Sequence, residues 1–100
     1  VVITAFSIDG KKSGETLSLN KTGKVLVKMQ LDWTFPMNYA EIVSGDGTKI
    51  YRERINLNDT QAFGNKVFSW PVNLTGRKWV RVEAWDIAAN GAFTQMIWLN

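Results

Sequence analysis

Four side chains on one short segment could bind a ligand or a partner. They are Trp79, Arg81, Glu83 and Trp85, and they alternate with Val80, Val82 and Ala84. Neighbouring residues of a β-strand point to opposite faces, so two rings and two opposite charges share the face that the small apolar residues leave free. Such rings can stack on sugars or form the centre of a protein contact. We take these four residues as the candidate interaction surface, with Arg81 and Glu83 paired to each other's cross-strand neighbours.

The commonest catalytic side chains are absent from the sequence. The chain of 100 residues contains no histidine and no cysteine. It therefore lacks the usual general base, the usual zinc ligands and a thiol nucleophile, and it cannot build a Ser-His-Asp triad. We expect a domain without catalytic activity of its own, without a cofactor and without a metal site.

Carboxylates are the remaining groups for acid–base chemistry or metal binding. Asp46 stands alone between two glycines. The segment 56–60 (NLNDT) is rich in oxygen atoms, but it lacks the glycine and the distal glutamate of an EF-hand loop. A glycosidase needs two carboxylates at a defined separation across a cleft. An enzyme that acts through carboxylates alone is therefore the least favoured class.

Charge and hydropathy argue against two kinds of partner. The net charge is +3, and the lysines and arginines are scattered among acidic residues, so no nucleic-acid surface is predicted. No apolar run approaches the roughly 20 residues that a membrane span needs. The chain opens on VVITAF without an initiator methionine and without a signal peptide. We expect a domain excised from a larger protein.

Turn signals divide the chain into short strands, and no segment shows helical periodicity. Strands are predicted over 2–8, 24–32, 38–44, 48–55, 66–74, 78–86 and 92–99, with a further short one over 16–19. The alternation is cleanest in 24–32, where only Leu26 interrupts the polar face. Pro71 cannot donate a hydrogen bond to a central ladder, so it indicates an edge position or a bulge for 66–74. We interpret Gly45 and Gly91 as residues of hairpin turns, like Gly47 and Gly76.

About seven such strands predict one all-β domain over residues 1–100. The expected architecture is an antiparallel two-sheet sandwich of the immunoglobulin or fibronectin III type.

The chain has more aromatic residues than a minimal core demands, including five tryptophans. We expect most of the rings, Trp98 among them, to complete the core or to cover the ends of the sandwich. Trp79 and Trp85 are the exceptions, because the residues between them already supply the core face. The alternative to a protein contact is a carbohydrate platform that combines Trp79 and Trp85 with Trp33 or Trp70.

Two segments resemble a known family. The C-terminal segment KWVRVEAWDIAANGAFTQMIWL (78–99) resembles the end of the small β-sandwich that follows the catalytic domain in bacterial PHP-like metal-dependent hydrolases. The segment AEIVSGDGTKIY (40–51) resembles the middle hairpin of such domains. The C-terminal match rests on Trp79, Val80, Arg81, Glu83, Asp86, Ala92, Thr94, Gln95, Ile97 and Trp98. Met96 stands where that family pattern has proline.

The resemblance implies a C-terminal immunoglobulin-like accessory domain of a larger, exported bacterial hydrolase. Such a domain would pack against or position the catalytic domain in the periplasm, outside the cell or on the cell surface. The family's metal ligands cannot be carried over, because they are mostly His and Asp of the preceding domain. The expected partner is the neighbouring catalytic domain of the same polypeptide or, in the alternative, a carbohydrate.

Overall fold

A computed structural model describes residues 1–100 as strands, turns and loops without a helix. The strands are β1 (Val2–Ile8), β2 (Lys11–Lys12), β3 (Thr16–Leu17), β4 (Lys24–Trp33), β5 (Met37–Gly45), β6 (Ile50–Asn56), β7 (Gly64–Asn73), β8 (Trp79–Asp86), β9 (Gly91–Phe93) and β10 (Ile97–Leu99). The predicted all-β class is confirmed. No helix capable of crossing a bilayer is present.

The strands form two sheets. The first sheet has the order β2-β1-β4-β7, and the second has the order β3-β10-β8-β5-β6 with β9 also beside β8. β1, β4 and β7 occupy the A, B and E positions of an immunoglobulin-like sandwich. In the second sheet β5, β6 and β8 occupy the C, C′ and F positions, and the short strands β9 and β10 together occupy the G position. The predicted two-sheet sandwich is confirmed. One pairing departs from the antiparallel pattern, because β3 runs parallel to β10.

The predicted last strand, 92–99, is divided into β9 and β10. Phe93 is the partner of Glu83, and Ile97 is the partner of Val80, so this side carries one residue more than β8 between the two pairings. Such an extra residue is a β-bulge, which interrupts the ladder locally. Thr94 sits at the interruption and still exchanges hydrogen bonds with the backbone of Val82.

Alternation along the strands builds the core between the sheets. The inward residues of β4 are Val25, Val27, Met29, Leu31 and Trp33, and all are buried. They belong to a single cluster of 19 buried apolar residues drawn from both sheets. Leu26 points outward opposite Pro71, and β7, which carries this proline, is the predicted edge strand of the first sheet.

Asp46 organises the hairpin turn between β5 and β6. Its carboxylate accepts hydrogen bonds from the backbone nitrogens of Lys49 (2.7 Å) and Thr48 (2.8 Å) and from the Tyr51 hydroxyl (2.9 Å). These bonds lower the pKa of Asp46 to about 2. Gly47 adopts a φ of 94°, which glycine tolerates without strain. The Asp-Gly turn expected from the sequence is present.

Candidate functional site

The four candidate residues lie together on the outer face of the second sheet. Trp79, Arg81, Glu83 and Trp85 all belong to β8, and the residues between them are fully buried. β8 is flanked by β5 on one side and by β9 and β10 on the other, so side chains from these strands surround the four. We call the outward residues of β5, β6, β8, β9 and β10 the tryptophan face.

Both tryptophans of β8 lie against a glycine on a neighbouring strand. Trp79 is directly opposite Gly45, and Trp85 is directly opposite Gly91. A β-carbon at Gly45 would come within 2.5 Å of three atoms of the Trp79 ring, and one at Gly91 would come within 2.7 Å of the Trp85 ring. The rings can therefore lie this close to the sheet only because glycine has no side chain.

The sequence-based interpretation of Gly45 and Gly91 as turn residues is wrong. Gly45 ends β5 and Gly91 begins β9, and neither has a positive φ. In the turn before β9 it is Ala89 that adopts a positive φ, of 64°. These glycines are needed for close approach of a ring, and only the strand register reveals that need.

We expect Gly45→Ala to lower the free energy of unfolding by about 1 to 2 kcal/mol, because the new methyl group must displace the Trp79 ring. Urea unfolding followed by fluorescence measures the change. In a Trp79→Ala background the same substitution should be neutral or slightly stabilising, since alanine restricts the unfolded chain more than glycine does. A cost that persists in that background would contradict the ring contact as its cause.

A charge cluster built on two buried glutamates separates the two tryptophans. Glu41 of β5 and Glu83 of β8 are direct cross-strand partners, and their side chains are only 7% and 8% exposed. Like charges in this position repel each other. Three arginines offset the repulsion, and their nitrogen-to-oxygen distances are 2.7 Å for Arg81–Glu83, 3.2 Å for Arg54–Glu41, 3.5 Å for Arg52–Glu83 and 3.8 Å for Arg52–Glu41.

Glu83 connects this cluster to the aromatic residues. One carboxylate oxygen accepts the hydrogen bond from Arg81, and the other accepts one from Nε1 of Trp85 at 3.2 Å. Burial raises the pKa of Glu83, but the hydrogen bonds from Arg81 and Trp85 and the charges of Arg81 and Arg52 outweigh it, so the pKa is lowered overall. Glu83 is therefore an anion at neutral pH.

The expected pairing of Arg81 and Glu83 with each other's cross-strand neighbours is wrong. Arg81 pairs with Glu83 along β8, and Glu83 also pairs with Arg52 of β6, which lies two strands away. The reason is the register with β5, which places Glu41 opposite Glu83 and the buried Val43 opposite Arg81.

Further aromatic residues extend the tryptophan face at the Trp85 end. Phe93 of β9 meets the Trp85 ring edge-on, with 5.6 Å between the centroids. Tyr39 of β5 is the cross-strand partner of Trp85, and the Arg54 guanidinium lies 3.8 Å from the centre of the Tyr39 ring. Sequence reasoning missed these residues because each becomes a neighbour of Trp85 or of the cluster only through strand pairing.

Of the two placements predicted for Trp98, completing the core or covering an end of the sandwich, the first is wrong. Its neighbours Ile97 and Leu99 fill the inward positions of β10 and are buried, so the Trp98 side chain points outward and is 48% exposed. It is the cross-strand partner of Trp79. Ile50 of β6, which is also exposed, completes this end of the tryptophan face.

Trp33 and Trp70 belong to the first sheet and not to the tryptophan face. Trp33 is 7% exposed, and its Nε1 donates a hydrogen bond to the Gln61 carbonyl at 2.7 Å. Trp70 stacks on Phe68 with 5.6 Å between the ring centroids, and both rings pack against the core. No single surface joins either residue to Trp79 and Trp85.

The oxygen-rich segment 56–60 uses its polar atoms within its own loop. Asn56 Oδ1 accepts a hydrogen bond from the Asn58 backbone, and the Thr60 hydroxyl donates to the Leu57 carbonyl and accepts from the Met37 backbone. No three acidic side chains come together in a way that could hold a metal ion. Hydrogen bonding that holds the loop together therefore explains why this segment is rich in oxygen atoms.

No family model, no curated protein and no solved structure matches this chain. The resemblance to the PHP-like hydrolases therefore stays a prediction. The evidence on function is the geometry of the tryptophan face, where two rings lie against glycines on either side of a cluster of two buried glutamates and the three arginines that pair with them.

Proposed function

We propose that this domain is a non-catalytic interaction module whose tryptophan face packs against the neighbouring catalytic domain of the same polypeptide. The supporting observation is the contrast between the two outer faces of the sandwich. The outward residues of the central strand β4 in the first sheet are Lys24, Leu26, Lys28, Gln30 and Asp32. The five strands of the tryptophan face contain no lysine and present tryptophan, tyrosine, phenylalanine and arginine. That composition is typical of interface centres.

The side chains of the tryptophan face are also preorganised for binding. Glu41 and Glu83 are already buried and paired, so a partner need not remove them from water. Trp79 and Trp85 rest on glycines, which limits the side-chain entropy that binding would remove. The Arg52 side chain is half exposed, at 49%, and can donate hydrogen bonds to a partner. Exposed apolar residues at both ends of the tryptophan face would add to the surface area that a partner buries.

We also propose the setting that the resemblance implies. The catalytic domain would be that of an exported bacterial hydrolase of the PHP-like type. The module would then work in the periplasm, outside the cell or on the cell surface, where it would position the catalytic domain.

The test compares the 100-residue domain with the full natural polypeptide, both labelled with fluorotryptophan. Fluorine NMR gives one signal for each tryptophan, and Trp→Phe variants assign the signals. We expect the Trp79 and Trp85 signals to shift and to become less accessible to solvent in the full polypeptide. The Trp33 and Trp70 signals should stay unchanged, because Trp33 lies in the core and Trp70, in the first sheet, packs against it.

A matched pair of variants tests whether the tryptophan face contributes to the free energy of association between the domains. Trp85→Ala should weaken the association of the separated domains by at least about tenfold, as expected for a central interface aromatic. Lys28→Ala on the opposite face should leave the association unchanged. Unchanged Trp79 and Trp85 signals in the full polypeptide would contradict the proposal. Protection that appears in the isolated domain only as its concentration rises would indicate a second copy as the partner instead.

A carbohydrate platform on Trp79 and Trp85 is the alternative function. The two residues are six positions apart on one strand, which corresponds to roughly 20 Å, and the charge cluster lies between them. A saccharide that contacts both rings would have to cross that cluster. Saturable shifts of both signals on titration of the isolated domain with a glycan panel would favour this alternative over domain packing.

A further inference from the structure

The second sheet ends at β6, an edge strand with β5 on one side and no strand on the other. We propose that an extended, acidic segment of the partner domain pairs with this edge as an added strand and that Arg52 and Arg54 recognise its charge. This inference rests on the proposed function for the identity of the partner. It names the part of that partner that contacts the tryptophan face at its β6 rim.

The backbone of β6 offers a row of free hydrogen-bonding groups. At the turn, the Asp46 nitrogen donates to the Lys49 carbonyl at 3.2 Å. At the other end of the hairpin, the Leu57 nitrogen donates to the Asn38 carbonyl at 2.9 Å. Along an antiparallel pair, residues that bond to the partner strand alternate with residues that do not. The register therefore directs the N–H and C=O groups of four residues to the open edge, namely Ile50, Arg52, Arg54 and Asn56.

The other edges of the two sheets are protected against such pairing. β2 and β3 contain only two residues each. β7 is longer, but its partner residue Leu26 bonds to Asp9 on the far side of β4, so the nitrogen of Pro71 faces the open edge and supplies no donor there. β6 contains neither proline nor lysine, and its register with β5 has no bulge. It therefore lacks three of the common protections of an edge strand.

The arginines of β6 give this edge a positive charge. The side chains of Arg52 and Arg54 are 49% and 61% exposed. The charge cluster contains three arginines and only two glutamates, so one positive charge is not neutralised. Arg52 comes no closer than 3.5 Å to either carboxylate, which leaves its guanidinium donors free for a further one. Residues opposite each other in an antiparallel pair share a face, so acidic residues of an added strand would lie beside both arginines.

The same charges argue against a second copy of this chain as the added strand. In the two-fold antiparallel register centred on Glu53, this residue would lie opposite its own copy, and Arg52 of each chain would lie opposite Arg54 of the other. Each of these contacts would join like charges, which destabilise a sheet. Charge complementarity therefore favours a partner segment with acidic residues at alternate positions.

Amide hydrogen exchange, resolved to single residues by mass spectrometry, tests the pairing. In the isolated 100-residue domain the amides of Arg52 and Arg54 should exchange fast, whereas those of Tyr51 and Glu53, which bond to β5, should exchange slowly. In the full natural polypeptide we expect exchange at Arg52 and Arg54 to slow by at least about tenfold. The amide of Val67, which faces the open edge of β7, should stay fast and is the control.

Two peptides test the acidic character of the added strand on the isolated domain. One alternates glutamate with threonine over the length of β6, and the other has lysine in place of each glutamate. Titration followed by nitrogen–proton NMR should give saturable shifts of the Arg52 and Arg54 amides with the acidic peptide. The basic peptide should bind at least about tenfold more weakly. Added salt should weaken binding of the acidic peptide.

Arg52→Ala and Arg52→Pro separate the charge from the backbone donor. Both remove the guanidinium, but only proline also removes the N–H group, which makes no bond to β5. Arg52→Ala should weaken binding of the acidic peptide by about threefold or more, and Arg52→Pro by at least about a further tenfold. Lys28→Ala, on the other sheet, should leave binding unchanged. Urea unfolding shows that each variant is folded, and the exchange measurement on the wild type needs no variant.

Three results would overturn the proposal. They are fast exchange at Arg52 and Arg54 in the full polypeptide, an acidic peptide that binds no more tightly than the basic one, and equal binding by the two Arg52 variants. Protection of β6 that appears in the isolated domain only as its concentration rises would indicate a second copy instead. Shifts of Trp79 and Trp85 without slower exchange at β6 would contradict this inference alone, and slower exchange without those shifts would contradict packing of the tryptophan face.

Discussion

Replacing Arg81 with alanine is expected to lower the free energy of unfolding by about 3 kcal/mol at pH 7, because the substitution leaves buried carboxylates without their closest cation. Arg81 is itself largely buried and donates the shortest bond of the cluster, at 2.7 Å, to Glu83. Without it, Glu83 faces Glu41 with only the more distant Arg52 nearby. Urea unfolding at a series of pH values measures the effect.

The pH dependence of this loss has a defined sign. In the wild-type domain the pKa of Glu83 is lowered, so the stability it contributes is present above the ordinary carboxyl value of about 4.3 and is lost as the pH falls through the lowered value. In Arg81→Ala, burial should raise the pKa of Glu83 above that ordinary value. The variant should therefore gain stability as the pH falls from 7 towards about 5, and the gap to the wild type should narrow.

Two controls distinguish the effect of the Arg81–Glu83 pair from that of a more exposed charge. Arg52→Ala removes a half-exposed arginine from the same cluster and should cost less than about 1 kcal/mol. Adding Glu83→Gln to Arg81→Ala should restore part of the lost stability, since it removes the unpaired charge. Equal losses for the two arginine variants, or a loss that does not change with pH, would contradict this account.

Replacing Trp33 with alanine is expected to lower the free energy of unfolding by about 4 kcal/mol, because it removes a large buried ring. The ring lies directly opposite Gly64, in a space that a β-carbon at that glycine would occupy, and it packs near Phe68 with 6.2 Å between the centroids. The hydrogen bond from Nε1 to Gln61 would be lost as well. Urea unfolding monitored by circular dichroism gives the change.

Trp98→Ala is the matched control, since it removes the same side chain from an exposed position. It should cost less than about 1 kcal/mol, because a surface residue loses little packing on truncation. Equal losses for the two variants would contradict the assignment of Trp33 to the core and Trp98 to the surface. The pair therefore tests the assignment of Trp33 to the core and of Trp98 to the surface.

Within single strands, the sequence predicted the structure well. The alternation in β4 correctly separated its buried residues from its exposed ones, and Pro71 correctly indicated an edge strand. The alternation in β8 placed Trp79, Arg81, Glu83 and Trp85 on one outer face. All of these inferences rest on properties of adjacent residues, namely the two-residue period of a strand and the missing donor of proline.

Contacts between residues of different strands could not be predicted from the sequence in the same way. The aromatic composition did not reveal that Trp98 points outward, because that depends on Ile97 and Leu99 filling the core positions of β10. The role of Gly45 was missed because its neighbour, Trp79, is distant in the sequence. Each outcome depends on which residues are paired across the sheet.

The sequence by itself determined the all-β sandwich, the boundaries of most strands and the residues that share the outer face of β8. The tertiary structure decided how that face is built. It placed Glu41 opposite Glu83, brought Arg52 and Arg54 to them from β6, and set Trp79 and Trp85 on glycines of two other strands. The physical reason is that alternation fixes the face on which a side chain lies, whereas its neighbours on that face depend on the register between distant strands, which the packing of the whole core selects.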